Sequence, residues 1–209
     1  LLDLWNVVLG LAVLFLSRCL GILYFINNVS DAELLPRFRR RLLVEAVCFV
    51  AFFVPFVIYV LLKDGFAVDA ASGSIVMESY KYFHNLMAMP WVLGLFLLGV
   101  VAVLFGLGRS ILCATYNKGI WFAGVGTVLA VLALLLTVGY NNTAYYPSAA
   151  DLQSSLTLSN SCSSLFTLKT MAYVSVFIPF VLAYIIYAWR AIDRKPITAD
   201  EMKESDHAY

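Results

Sequence analysis

Five apolar runs, at 4–26, 42–62, 90–107, 120–140 and 171–189, take up about half of the chain's 209 residues. A hydrocarbon layer about 30 Å thick needs roughly 20 helical residues to cross it, because each residue rises about 1.5 Å. Every run meets that length or falls just short, so the pattern predicts an all-α membrane protein with five transmembrane helices. A domain of such spans over 1–189 and a polar tail over 190–209 are the expected divisions.

A soluble core does not account for the composition. The apolar fraction is 62% and the charged fraction 13%, against about 45–50% and about 25% in ordinary soluble domains. The net charge of +1 is uninformative, but no basic stripe interleaved with aromatics appears, so no nucleic-acid partner is expected and membrane lipid forms the surroundings. The start, Leu1-Leu2-Asp3, has neither an initiator Met nor a basic n-region. The first run is too long for a signal h-region and contains Arg18, so the chain reads as a fragment or processed piece of something longer.

None of the five runs contains a histidine. Membrane proteins that carry haem or a buried metal usually ligate it with histidines from such helices. Function is therefore expected through packing, quinone or lipid contact, or a partner that holds the cofactor. Cysteines 19, 48, 113 and 162 lack the close spacing that zinc or thiol redox chemistry needs, and Cys19 and Cys48 read as small apolar fillers. His84 and His207 fall outside the runs and read as solvated residues, with contact to a neighbouring subunit also open for His84.

Basic residues set an orientation. Arg37, Arg39, Arg40 and Arg41 precede the second run, Arg109 and Lys118 follow the third, and Arg190, Arg194, Lys195 and Lys203 follow the fifth. These ten face only Lys63, Lys81 and Lys169 in the alternate connections, which predicts a cytoplasmic C-terminus and a chain start outside. Trp5, Tyr59, Trp91 and Tyr140 then mark the outer boundary, and Tyr24, Trp121 and Trp189 the inner one.

Small residues, Gly106 and Gly108 in the third run and Gly119, Ala123, Gly124, Gly126 and Ala130 in the fourth, predict close helix packing rather than a phosphate loop. Pro55 and Pro179 read as kinks. Ile75–Met89 is expected to form a short interfacial helix or an irregular cover over the helix ends. Asn141-Asn142-Thr143 matches a glycosylation sequon, and Thr198-Ala199-Asp200-Glu201 fits a capping box opening a short tail helix. Arg18 cannot leave its guanidinium unpaired in hydrocarbon without a cost of roughly 2.5–3.5 kcal/mol. An antiparallel hairpin of the first two runs brings it within about 7 Å in depth of Glu45, which makes Arg18 and Glu45 a candidate intramembrane pair. Side chains lean toward their own helix N-termini, which lengthens the reach. A backbone carbonyl, a hydroxyl or a partner's acid are the alternative acceptors.

The stretch Tyr146-Pro147-Ser148, Ser154-Ser155-Leu156-Thr157-Leu158, Asn160-Ser161-Cys162-Ser163-Ser164 and Thr167-Leu168-Lys169-Thr170-Met171 leads into a span with Pro179, Tyr184 and Trp189. In order and spacing it resembles the outer loop and last helix of subunit II of the cytochrome bd-type quinol oxidases. The Leu1-Leu2-Asp3 start, the arginine-rich first loop and the turn Lys63-Asp64-Gly65-Phe66 also resemble the second half of that subunit. Cys162 within the serine run and Arg18 within a helix depart from the family's pattern.

The resemblance implies a nine-helix subunit of two four-helix bundles and one peripheral helix. This chain would be its C-terminal half, a four-helix bundle plus the peripheral helix, with the N-terminal half of subunit II missing. It also implies a bacterial inner-membrane complex that oxidises quinol and reduces oxygen to water. The haems and quinol-oxidation loop are expected on partner subunit I, and no cofactor, metal or catalytic residue in this chain. The rival expectations are half of a small transporter or permease, and a scaffold without a redox partner. A transporter would call for paired acids or glycine-proline breaks near the midplane, which the runs do not show.

Overall fold

A computed structural model describes residues 3–69 and 72–192 of the chain. Five helical segments are long and apolar enough to cross a membrane: Leu4–Asn28, Leu34–Leu62, Pro90–Leu112, Gly119–Gly139 and the stretch Leu165–Ile192. The first four are continuous helices, α1 (Leu4–Asn28), α2 (Leu34–Leu62), α4 (Pro90–Leu112) and α5 (Gly119–Gly139), and they pack as a four-helix bundle. Between α2 and α4 come strands β1 (Gly65–Val68) and β2 (Ile75–Glu78) and the short helix α3 (Lys81–Ala88). Strands β3 (Ala144–Tyr146) and β4 (Leu156–Thr157) follow α5, and the fifth span is divided into α6 (Leu165–Ser175) and α7 (Ile178–Ile192).

α2 begins well before its apolar run. The Asp31 carboxylate accepts from the amides of Glu33 and Leu34 at 2.8 and 2.9 Å, satisfying donors that a helix start leaves free. Pro36 fits two residues later, because first-turn amides have no intrahelical acceptor to lose. The four arginines expected in a loop therefore lie on the first two turns of a helix. Within α2, Pro55 leaves the helix unbroken.

Two pairings build the bundle, α1 with α2 and α4 with α5. In the second pair the backbones themselves meet. A Cβ on Gly99 would lie 2.6 Å from the Ala130 amide nitrogen, and one on Gly126 would lie 2.6 Å from the Gly99 carbonyl oxygen. Seven residues along each helix the contact repeats, with Gly106 against the carbonyl of Gly119 and the amide of Ala123. Gly108 and Gly124, expected in the same role, face open space. A lipid surround offers no hydrophobic drive to join helices, so such close approach gains its stability from van der Waals contact. The main buried cluster, with Cys19, Leu23, Leu42, Phe49, Val103 and Ala123, joins all four helices, and Leu86, Met89, Val92 and Ala133 form a second one near the β1–β2 hairpin.

The fifth span is peripheral: none of its described residues is buried, and Trp189 meets Tyr24 of α1 edge to face with ring centroids 6.0 Å apart. Its break follows from Pro179, which offers no amide to the Ser175 carbonyl and whose ring crowds that oxygen. Val176 and Phe177 instead close tight turns onto Tyr173 and Val174, at 3.2 and 3.0 Å. Asp193 onward, including the Thr198–Glu201 capping box and His207, lies outside the described residues.

Where an interfacial helix or irregular cover was expected, Ile75–Glu78 is a strand and only Lys81–Ala88 is helical. β1 and β2 pair antiparallel, Gly65 opposite Glu78 and Val68 opposite Ile75. The Gln153 side chain extends this pairing by donating to the Ile75 carbonyl and accepting from its amide, both at 2.9 Å. Fully buried Asn85 ties α3 down, donating to the Thr137 carbonyl at 3.0 Å and the Thr143 hydroxyl at 2.8 Å, while the Asn141 amide donates to its oxygen at 3.2 Å. The sequon residues Asn141 and Thr143 are thus engaged in packing.

His84 reaches Glu78 at 3.1 Å, with Lys81 3.2 Å from the same carboxylate. The hydrogen bond from His84 is the largest influence on the Glu78 carboxyl; burial opposes it, and with the added pull of Lys81 the carboxyl is held below its usual range. A lowered folded pKa means that the stabilisation is present above the unfolded carboxyl pKa and lost as pH falls through the folded one. Amide exchange in β2 and α3 should therefore quicken as the pH drops below the ordinary glutamate range. Glu78→Gln should remove that dependence, and an unchanged profile in the variant would show the triad to be idle.

Candidate functional site

The buried charged groups of the bundle, Arg39 and Glu45, lie toward the arginine-bearing end of α2. Glu45, on the fourth turn of α2, is 1% exposed, and its Oε1 accepts from Arg18 Nη2 of α1 at 2.8 Å and from Arg41 Nε at 2.7 Å. Its Oε2 has no hydrogen-bond partner. The structure thus brings Arg18 and Glu45 together and adds a third member that the sequence reading missed. Arg41 stands four residues before Glu45, a spacing that places two side chains on one helix face. The apolar run begins only at residue 42, so hydropathy alone leaves Arg41 outside the helix. The leaning of side chains did not keep the pair apart, since both groups are long and meet across adjacent helices.

A buried carboxylate that loses its cationic partner keeps its desolvation cost, commonly about 3–5 kcal/mol when a buried pair is broken. Arg18 and Arg41 are each about half exposed, and either can remain on Glu45 when the other is removed. Arg18→Met should therefore cost less than that range, and Glu45→Gln more than Arg18→Met, because it leaves two guanidinium groups facing each other. The double variant should recover part of the summed loss in detergent unfolding measurements. Strictly additive effects would show that the contact carries no coupling.

Arg39, two residues before Arg41, is 8% exposed and turns the opposite way. Its Nη1 donates to the carbonyl of Ser110, at a very short separation, and to that of Cys113 at 2.9 Å. Its Nη2 donates to the carbonyls of Ala114 at 2.8 Å and Tyr116 at 3.2 Å and to Asn117 Oδ1 at 3.0 Å. The last carbonyls of a helix have no intrahelical donor, and one guanidinium supplies several for α4 and the turn into α5. In the sequence reading Arg39 was one of four equivalent charges.

Between α1, α2, α4 and α5 lies an apolar cavity of about 110 Å³, lined by residues including Leu16, Phe53, Val103, Leu104 and Val131. The nearby Thr127 hydroxyl is engaged with the Ala123 carbonyl at 2.7 Å. The cavity is smaller than the roughly 300–1,000 Å³ of small-molecule sites and is a packing space. Among the described residues no group of three or more His, Cys, Asp or Glu is arranged to hold a metal ion, and all four cysteines are free. The polar cluster is thus suited to holding helices and presenting positive charge.

Comparison with known proteins places this architecture. The chain is 29% identical over 197 residues to cytochrome bd-I ubiquinol oxidase subunit 2 of Escherichia coli strain K12, and equally to the proteins of that name from strains O6:H1 and O157:H7. The match covers 87% of this chain and 49% of each relative, so the chain spans about half the length of the curated relatives it matches. The sequence pattern described as cytochrome bd terminal oxidase subunit II matches residues 1–192. With nearly the whole chain inside that match, the chain belongs to the cytochrome bd terminal oxidase subunit II family.

Proposed function

We propose that this chain acts as the C-terminal half of subunit II of a quinol oxidase: a cofactor-free membrane component of a complex that oxidises quinol and reduces oxygen to water. The family match over residues 1–192 carries the reading. The place of the chain within the subunit is supported by the motifs from Tyr146 to Trp189, which follow the order of the family's last outer loop and last helix. Haems belong on a partner subunit I under this reading, and the absence of histidine from the apolar runs supports that division. The contribution of the chain is then a rigid wall: a glycine-packed helix pair, a guanidinium-locked helix end and a capped opposite surface. The complex sits in a bacterial inner membrane, with the chain start outside and the C-terminus cytoplasmic.

Co-expressed with a haem-bearing subunit I and purified by its own tag, the chain should bring down stoichiometric haem and quinol-driven oxygen uptake. Expressed alone it should give a flat reduced-minus-oxidised spectrum, and haem retained by the chain alone would overturn the division of labour. Orientation is tested on cells with a membrane-impermeant maleimide. Exposed Cys162 should be labelled and Cys113, at the other end of the bundle, spared; the reverse pattern would invert the topology.

A further inference from the structure

We infer that Arg18 and Arg41 form a binding site for the phosphate of an anionic phospholipid on the outer face of the α1–α2 pair. Two guanidinium groups share one oxygen of Glu45, at 2.8 and 2.7 Å, and one carboxylate cannot neutralise two cations. The excess positive charge lies seven residues into a membrane-crossing helix, where an uncompensated charge is costly. It faces outward: the Arg18 and Arg41 side chains are 47% and 59% exposed, while Glu45 is closed off at 1%. Among the described residues Glu45 is the one carboxylate in ion-pair contact with either guanidinium, and the surrounding lipid is the source of the counter-anion under this inference.

The surrounding surface selects a lipid. Leu14, one turn from Arg18 on α1, and Val44, one turn from Arg41 on α2, are about half exposed, so a cationic point sits directly beside an apolar face. That arrangement matches a phosphate with its acyl chains. Arg37, exposed near the start of α2, extends the positive charge toward the headgroup layer. Arginine's planar fork suits phosphate oxygens, and the bond to Glu45 holds each fork in place before the lipid arrives. The inference stands on the charge and exposure of this cluster and is independent of the oxidase reading.

The test uses the full chain, with whatever it assembles with, in nanodiscs of mixed phosphatidylcholine and phosphatidylglycerol, with retained lipid counted by native mass spectrometry. The unmutated protein should retain phosphatidylglycerol in preference to phosphatidylcholine, and millimolar inorganic phosphate should not displace it. Arg41→Gln leaves Arg18 on Glu45 and should lower phosphatidylglycerol retention about fivefold, whereas Arg40→Gln, one residue away but outside the cluster, should lower it much less. Equal retention of the two lipids, equal loss in the two variants, displacement by inorganic phosphate, or retention indifferent to Arg41 because a neighbouring subunit's acid fills the site would each overturn the inference.

Discussion

Gly99→Ala and Gly126→Ala are each expected to push α4 and α5 apart and to cost the bundle most of its stability in detergent. A single methyl group is a small change, but at these positions it arrives 2.6 Å from backbone atoms of the facing helix, which cannot rotate away as a side chain would. Overpacking a well-filled core costs about 1–3 kcal/mol, occasionally more, and the contact here is with main chain on both sides. The loss should sit at or above the upper end of that range. Gly94→Ala and Gly124→Ala are the matched controls, since a Cβ at either position meets nothing within 4 Å. They should be neutral or slightly stabilising, because alanine suits a helix interior better than glycine by up to about 1 kcal/mol. Thermal unfolding of the four variants side by side separates the cases. A Gly126→Ala protein as stable as Gly124→Ala would show that the helices do not meet backbone to backbone.

Arg39→Met should be comparably damaging for a different reason. The substitution keeps a long apolar stem and removes the donors that serve the carbonyls of Ser110, Cys113, Ala114 and Tyr116 and the side chain of Asn117. A buried acceptor left without a partner costs about 1–3 kcal/mol; the Ser110 carbonyl is buried, the other acceptors are partly open to water, and the Cys113 carbonyl keeps the Tyr116 amide. A loss of about 2–3 kcal/mol is expected, with the turn between α4 and α5 becoming open to protease before the helices separate. Arg39→Lys should recover little, because a single ammonium cannot span acceptors that a planar guanidinium reaches from two nitrogens. Arg40→Met, at an exposed position one residue away, is the control and should be nearly silent. Full rescue by lysine would mean that charge alone matters at residue 39, and the geometry of the fork does not.

Much of this fold is legible in the sequence. Length and apolarity announce a membrane span by themselves, because the bilayer imposes one thickness on every helix that crosses it. The five spans, the glycine and alanine stripes on α4 and α5, and the resemblance carried by Tyr146 to Trp189 all belong to this class. Hydrophobic runs were a poorer guide to helix ends. α2 starts at Leu34 and carries its arginines on helical turns, since a helix extends through polar residues wherever caps and partners satisfy its backbone. The hairpin of β1 and β2 was hidden for a related reason. Its strands are four residues each and take part of their support from Gln153, Thr143 and Asn142, far along the chain.

The sequence by itself determined that the chain crosses a membrane five times as helix, that its third and fourth spans carry surfaces small enough for close packing, and that Arg18 required an acceptor. Those follow from composition and spacing, which act locally. Only the tertiary structure decided that Gly99 joins the packing stripe while Gly108 and Gly124 do not, that Glu45 holds Arg41 as well as Arg18, and that Arg39 spends its charge on the end of another helix. In each case the outcome depends on which face of a helix meets which neighbour. The consecutive Arg39, Arg40 and Arg41 project about 100° apart around α2, so residues alike in sequence meet a helix end, the surroundings or a buried carboxylate according to the rotation of the helix in the bundle.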